Sequence, residues 1–166
     1  MKTILLRSLL LVSVIFAMGS FSSDENEEIY TAEVALVHEY DYNEVEIELA
    51  QQINDYRISI GLNALQTINH ISYKSSEHNE YMIEHKVVNH DYFEERSNNI
   101  IQVLGAVKVN ENVAYNYTTP AGVLHAWLAS PGHKSNIEGD FTHFGISVSE
   151  DPQTGKKYYT NIFIKK

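Results

Sequence analysis

The sequence predicts an α+β fold, a small antiparallel sheet covered by helices, and three observations carry the prediction. Apolar residues recur at helical spacing in the stretches that begin near Glu44 and Ile71. After Gly139 the pattern changes to strict alternation, and a turn sequence divides the alternating stretch in two. The chain has 166 residues, enough for one core and too few for two comfortable ones.

The first residues place Lys2 and Arg7 around the start of an apolar run from Leu9 to Met18, followed at once by polar, acidic sequence. This is the layout of a signal peptide, with small residues at Ala17 and Gly19 that put the expected cut after Gly19. The run is shorter than the roughly 18 residues a membrane-spanning helix needs. No second apolar segment of that kind follows, so residues 20–166 are expected to be exported without a membrane span. Residues 20–43 are acidic, with few large aliphatics, and read as a solvated leader in which a short extended piece around Val34 to Val37 packs on the domain edge. The domain proper is expected over 44–166.

Val45, Ile47, Leu49, Ile53, Tyr56 and Ile60 form the apolar stripe of a first helix, stopped by Gly61. A second helix is expected from about Ile71 to Lys86, with His78 near its middle, and it ends in the polar Asn89-His90-Asp91. Residues 98–109 show mixed periodicity. A third helix spans Pro120 to Ala129, and Ser130-Pro131 restarts the chain as N-cap and first helical residue of a fourth. Phe144, Ile146 and Val148 then alternate with Gly145, Ser147 and Ser149. Tyr158, Thr160, Ile162 and Ile164 repeat the pattern after the turn Asp151-Pro152-Gln153-Thr154-Gly155, which makes a hairpin. Residues from Asn112 to Tyr117 supply a third strand.

The formal charge is -10, and loss of Lys2 and Arg7 makes the exported chain more acidic still. A body so acidic is repelled by phosphate backbones, which argues against nucleic acid as a partner. Cysteine is absent, so thiol chemistry and an N-terminal lipid anchor are excluded. An exported protein held together by burial alone suits a bacterial envelope or medium, either periplasmic or secreted.

Eight histidines stand out in such a chain, because imidazole is both the usual neutral-pH proton carrier and the commonest metal ligand. His38 and His70 fall in the leader and a turn and receive no functional weight. His85 lies two turns beyond His78 and is assigned to the helix end, and His90 to a backbone hydrogen bond. Glu111, at the start of a strand, must be solvated or paired. His133 is the third residue of its helix, where the amides and the dipole favour neutral imidazole. Residue type and position leave His78, Glu111 and His133 open to a chemical role, metal binding or catalysis.

The ordered set Glu77-His78-Asn79, Asn110-Glu111-Asn112, Trp127, Ser130-Pro131-Gly132-His133 and Asn136-Ile137 resembles the bacterial branch of the CAP superfamily, also called the SCP domain. The resemblance runs from about Glu44 to Lys166 and includes Ile53-Asn54-Asp55-Tyr56-Arg57, Gly145-Ile146 and Tyr158-Tyr159-Thr160 to Phe163. It implies an α-β-α sandwich with a cleft lined by two histidines, here His78 and His133, and an acid, here Glu111, able in some relatives to hold a divalent metal. The second glutamate that follows the tryptophan in eukaryotic relatives is missing, since Leu128, Ala129 and Ser130 come next.

Two histidines and a glutamate suit zinc as a Lewis acid. A serine hydrolase would instead use Ser130, but proline after it marks a helix start and there is no nucleophile elbow. The competing class, binding of a small ligand, lipid, sterol or peptide, is ranked above enzymatic turnover, with tyrosines supplying apolar faces with polar tips. The chain is expected to be a monomer.

Overall fold

The computed structural model describes residues 35–166, so the signal peptide and most of the leader lie outside the described residues. Helix α1, Glu44–Ser59, begins at a capping box: the Asn43 side chain accepts from the Glu46 amide, and Glu46 accepts in return from the Asn43 amide, both at 3.0 Å. Its inner face is Leu49, Ile53 and Arg57. The Arg57 guanidinium is fully buried and donates to the carbonyls of Asn63 and Gly139, at 2.9 and 3.0 Å, holding two loops against the helix.

A two-residue strand β1, Gln66–Thr67, leads into α2, Asn69–His85. This helix lays Ile71, Ser75, His78 and Met82 on the sheet at spacings of three and four. Helix α3 spans Phe93–Leu104, where alternation and helical spacing had looked mixed. Its buried stripe is Arg96, Ile100 and Leu104, and an arginine in that stripe hides the periodicity. Gly105, at φ 68°, supplies the left-handed stop.

Strand β2 covers Lys108–Tyr115, helix α4 Pro120–Ala129 and helix α5 Pro131–Ile137. Strands β3, His143–Glu150, and β4, Lys157–Lys165, form the expected hairpin. The sheet order is β1-β3-β4-β2, antiparallel except where β1 runs parallel to β3. Because β4 is central, it is buried on both faces rather than alternating in and out. Tyr159 and Phe163 join Phe144, Ile146, Ala114 and Trp127 in the core under α1, α4 and α5. Ile162 and Ile164 meet Ile71, Ile100 and Leu104 under α2 and α3, while Tyr158 packs with Met82. The α-β-α sandwich is thus two helical layers on one sheet.

Gly145 has a steric cause. A Cβ there would lie 2.3 Å from the Ser72 amide nitrogen and 2.5 Å from the Ile71 Cβ, so α2 approaches β3 as closely as it does only over a glycine.

The described end of the leader is largely exposed but is bonded to the domain at a few points. Tyr40 donates to Glu46 and bonds the Ser147 hydroxyl, both at 2.9 Å, and Tyr42 reaches Asn69 and Ser72. The Val37 amide donates to His70 Nδ1 at 3.1 Å, in keeping with an extended piece on the domain edge. His70 is therefore no turn residue. It is buried in the first turn of α2, and its Nε2 donates to Asn99 Oδ1 of α3.

Candidate functional site

Side chains alternate along β2, so Asn110, Asn112 and Ala114 face the α4/α5 layer while Val109, Glu111 and Val113 face α2 and α3. Glu111 consequently projects beneath α2 and meets His78, with 3.9 Å between His78 Nε2 and Glu111 Oε1 and both side chains essentially inaccessible. His78 Nε2–H donates to the Asn89 carbonyl at 2.9 Å, which leaves Nδ1 as an acceptor without a partner. Burial holds the His78 imidazole below its ordinary pKa, and Arg96 and His90 push the same way; together they outweigh the nearby carboxylate.

Two residues that the sequence reading left aside complete the cluster. His90, assigned there to a backbone bond, instead donates from Nδ1 to Glu111 Oε1 at 2.8 Å. Arg96, from the first turns of α3, forks onto the same carboxylate, with Nε 3.0 Å from Oε2 and Nη2 2.9 Å from Oε1, and its Nη1 donates to the Asp91 carbonyl at 2.7 Å. The signal that could have found them is the polar run Asn89-His90-Asp91 followed by an arginine at the buried position of a short helix. The loop is pinned by Asn89, which accepts from the Asp91 amide and donates to its carboxylate.

His133 comes from the other layer. The Asn112 amide donates to the His133 carbonyl at 3.1 Å, and Asn136, one turn on, donates to the Glu111 carbonyl and to Asn112 Oδ1 and accepts from Asn110. Trp127 Nε1 caps the Val113 carbonyl at 3.0 Å. These bonds cover the outer edge of β2 with side chains and fasten α5 there. His133 is half-buried, and burial together with His90 lowers its pKa. His78 and Glu111 are thus brought together on the α2 side of the sheet, while His133 comes from the opposite layer and its ring shares no hydrogen bond or ion pair with either among the described residues.

Ser130 stands at the N-cap position, but its hydroxyl makes no cap bond. It lines a groove of about 290 Å³ with Val113, Tyr115, Tyr117, Trp127 and His133. His85 is at the exposed end of α2, bonded to the Tyr81 carbonyl, as expected.

The arrangement does not present a ready ligand set for the divalent metal expected at His78, Glu111 and His133. Both Glu111 oxygens are taken by the Arg96 fork, one of them also by His90, and the His78 Nε2 proton points at a carbonyl. Among the described residues no group of three His, Asp or Glu side chains is disposed to hold a metal ion. Burial favours the neutral imidazole at His78 and His133, beside an internally balanced carboxylate–guanidinium pair. The bond to Glu111 orients the His90 ring through Nδ1 and leaves the ring half-exposed.

The fold is shared with proteins of solved structure. An outer surface protein of Borrelia burgdorferi superposes with a TM-score of 0.68 at 21% identity, covering 78% of this chain and 98% of that one. A cysteine-rich secretory protein of Staphylococcus aureus gives 0.61 at 23% identity over 73% of this chain and 38% of its own. An extracellular protein containing an SCP domain from Bacillus anthracis gives 0.62 at 23% over 77% and 45%. In sequence, an uncharacterized membrane protein of Bacillus subtilis is 40% identical over 60 residues, 36% of this chain; the match spans 16% of that relative's length. Among the described residues no helix is long and apolar enough to cross a membrane. Residues 50–163 match the model of the CAP, cysteine-rich secretory protein, family, and with more than half of the chain inside that match the protein belongs to this family.

Proposed function

We propose that this CAP domain is an exported binding domain that takes an extended peptide in the groove beside His133, with the imidazoles of His90 and His133 at its polar end. The observation that carries the reading is the engagement of Glu111. Its charge is balanced by Arg96 and it serves to orient His90, so the half-exposed ring is held in a fixed direction for a hydrogen bond to a peptide backbone. The neighbouring groove is lined by Ala114, Tyr117, Trp127 and Ser130 beside His133, a mixture of apolar, aromatic and polar groups that suits peptide side chains and backbone together. Turnover draws less support. A nucleophile–base pair needs a hydroxyl within hydrogen-bond reach of an imidazole, and among the described residues neither His78, His90 nor His133 bonds one. Export is supported by the signal-peptide pattern and by relatives named as outer-surface and extracellular proteins.

Trp127 is the sole tryptophan and lines the groove, so it reports occupancy. Titration with a pool of short extended peptides should change its fluorescence, and His133→Ala should weaken that response by about tenfold, the size of one good polar contact. Vesicles of anionic phospholipid should leave it unchanged. A response to vesicles and none to peptides would replace this reading with lipid binding.

A further inference from the structure

Glu111 already has a cation. Its side chain is 1% exposed, and the guanidinium of Arg96 contacts both oxygens, with a closest approach of 2.8 Å. Around the same carboxylate stand two imidazole nitrogens, His90 Nδ1 at 2.8 Å and His78 Nε2 at 3.9 Å from Oε1. Two nitrogens and a carboxylate oxygen are a common three-ligand set for zinc. Bonds of about 2.0 Å in a tetrahedral arrangement put neighbouring ligand atoms about 3.3 Å apart. The two observed separations fall on either side of that value, although with Arg96 in place no such set is disposed to hold an ion among the described residues. Turning the His78 Nε2 lone pair on an ion gives up the bond to the Asn89 carbonyl and moves the ring proton to the buried Nδ1, which has no partner.

We infer that Arg96 occupies the cation's place in this cluster: the native chain takes up no divalent ion at Glu111, and removing the guanidinium unmasks a zinc site made by His78, His90 and Glu111. Two physical terms keep the ion out. The fork uses the lone pairs that a metal needs, and its fixed positive charge repels a second cation in a site that water does not screen. Arg96 is held from behind by the Asp91 carbonyl, so it does not swing away on its own. His133, across the strand edge, is not needed for this set.

The test is a zinc titration of the full chain at neutral pH, read by calorimetry and by elemental analysis after desalting, with circular dichroism as the check on folding. The native chain and Arg96→Lys, which keeps the charge, should retain no stoichiometric zinc. Arg96→Met should retain roughly one zinc per chain and bind it about 100-fold more tightly than the native chain. Adding Glu111→Gln to Arg96→Met should abolish that binding, whereas adding His133→Ala should preserve it. If Arg96→Met is unfolded without metal, zinc should restore its helical signal. Stoichiometric zinc in the native chain that is lost on Glu111→Gln overturns the inference, as does an Arg96→Met chain that gains neither zinc nor zinc-dependent folding.

Discussion

His90 Nδ1–H donates to Glu111 Oε1 at 2.8 Å, joining a half-exposed imidazole to a carboxylate that is all but inaccessible to solvent. The bond links the loop after α2 to the middle of β2, and Arg96 closes the same carboxylate from α3. Glu111 is therefore first a structural anchor, and its loss is expected to be felt in stability before function.

Glu111→Gln leaves the buried Arg96 guanidinium without its counter-charge. Breaking one side of a buried pair costs about 3–5 kcal/mol, so urea unfolding of the variant should show a loss in that range. Replacing both partners, Glu111→Gln with Arg96→Met, should cost less than the sum of the single changes. Additive losses would mean that the two side chains do not act as a pair.

Stability should fall as the medium is acidified below about pH 6.5. Burial holds His70, His78, His133 and His143 below the ordinary imidazole value of 6.5 in the folded state. The unfolded chain then binds protons more readily than the folded one, so folding is favoured above the unfolded pKa and weakened as pH falls from there through the depressed folded values. Unfolding free energies measured from pH 7.5 to 5 should decline, and His78→Gln should make the decline shallower. A flat profile in the native chain would refute the burial account.

Gly145→Ala should destabilise by about 3 kcal/mol or more, since the new methyl meets the α2 backbone rather than a movable side-chain end. Thermal melting of the variant checks it. A melting temperature equal to the native one would show that α2 can lift from β3 at no cost.

Asn136→Ala removes bonds to Asn110, Asn112 and the Glu111 carbonyl at once. A loss of about 1–3 kcal/mol is expected from the polar groups left unpaired. If this clamp positions His133, the Trp127 response to peptides should weaken even at temperatures where the variant remains fully folded.

Much of the framework was legible along the chain. The apolar stripe from Val45 to Ile60, the proline at the start of α5 and the period-2 stretches around Gly155 are local signals, and each marks an element at or near its observed place. Helix α3 was not legible, because its inner stripe contains Arg96 and polar neighbours, and a buried arginine looks the same in sequence as an exposed one. Strand β2 starts earlier than its β-branched residues suggest, since Asn110 and Asn112 are there to bind α5 rather than to fill a core.

The candidate site divides along the same line. His78, Glu111 and His133 follow from residue type, spacing and motif, properties that the sequence by itself determines, as it does the acidic charge and the absence of cysteine. Only the tertiary structure decided that His90 and Arg96, 21 and 15 residues before Glu111, share its carboxylate, and that His133 arrives from the opposite layer. The physical reason is that alternation along a strand tells which side chains share a face, whereas the helix that covers that face, and hence the partner of a buried charge, is chosen by packing across the whole sheet.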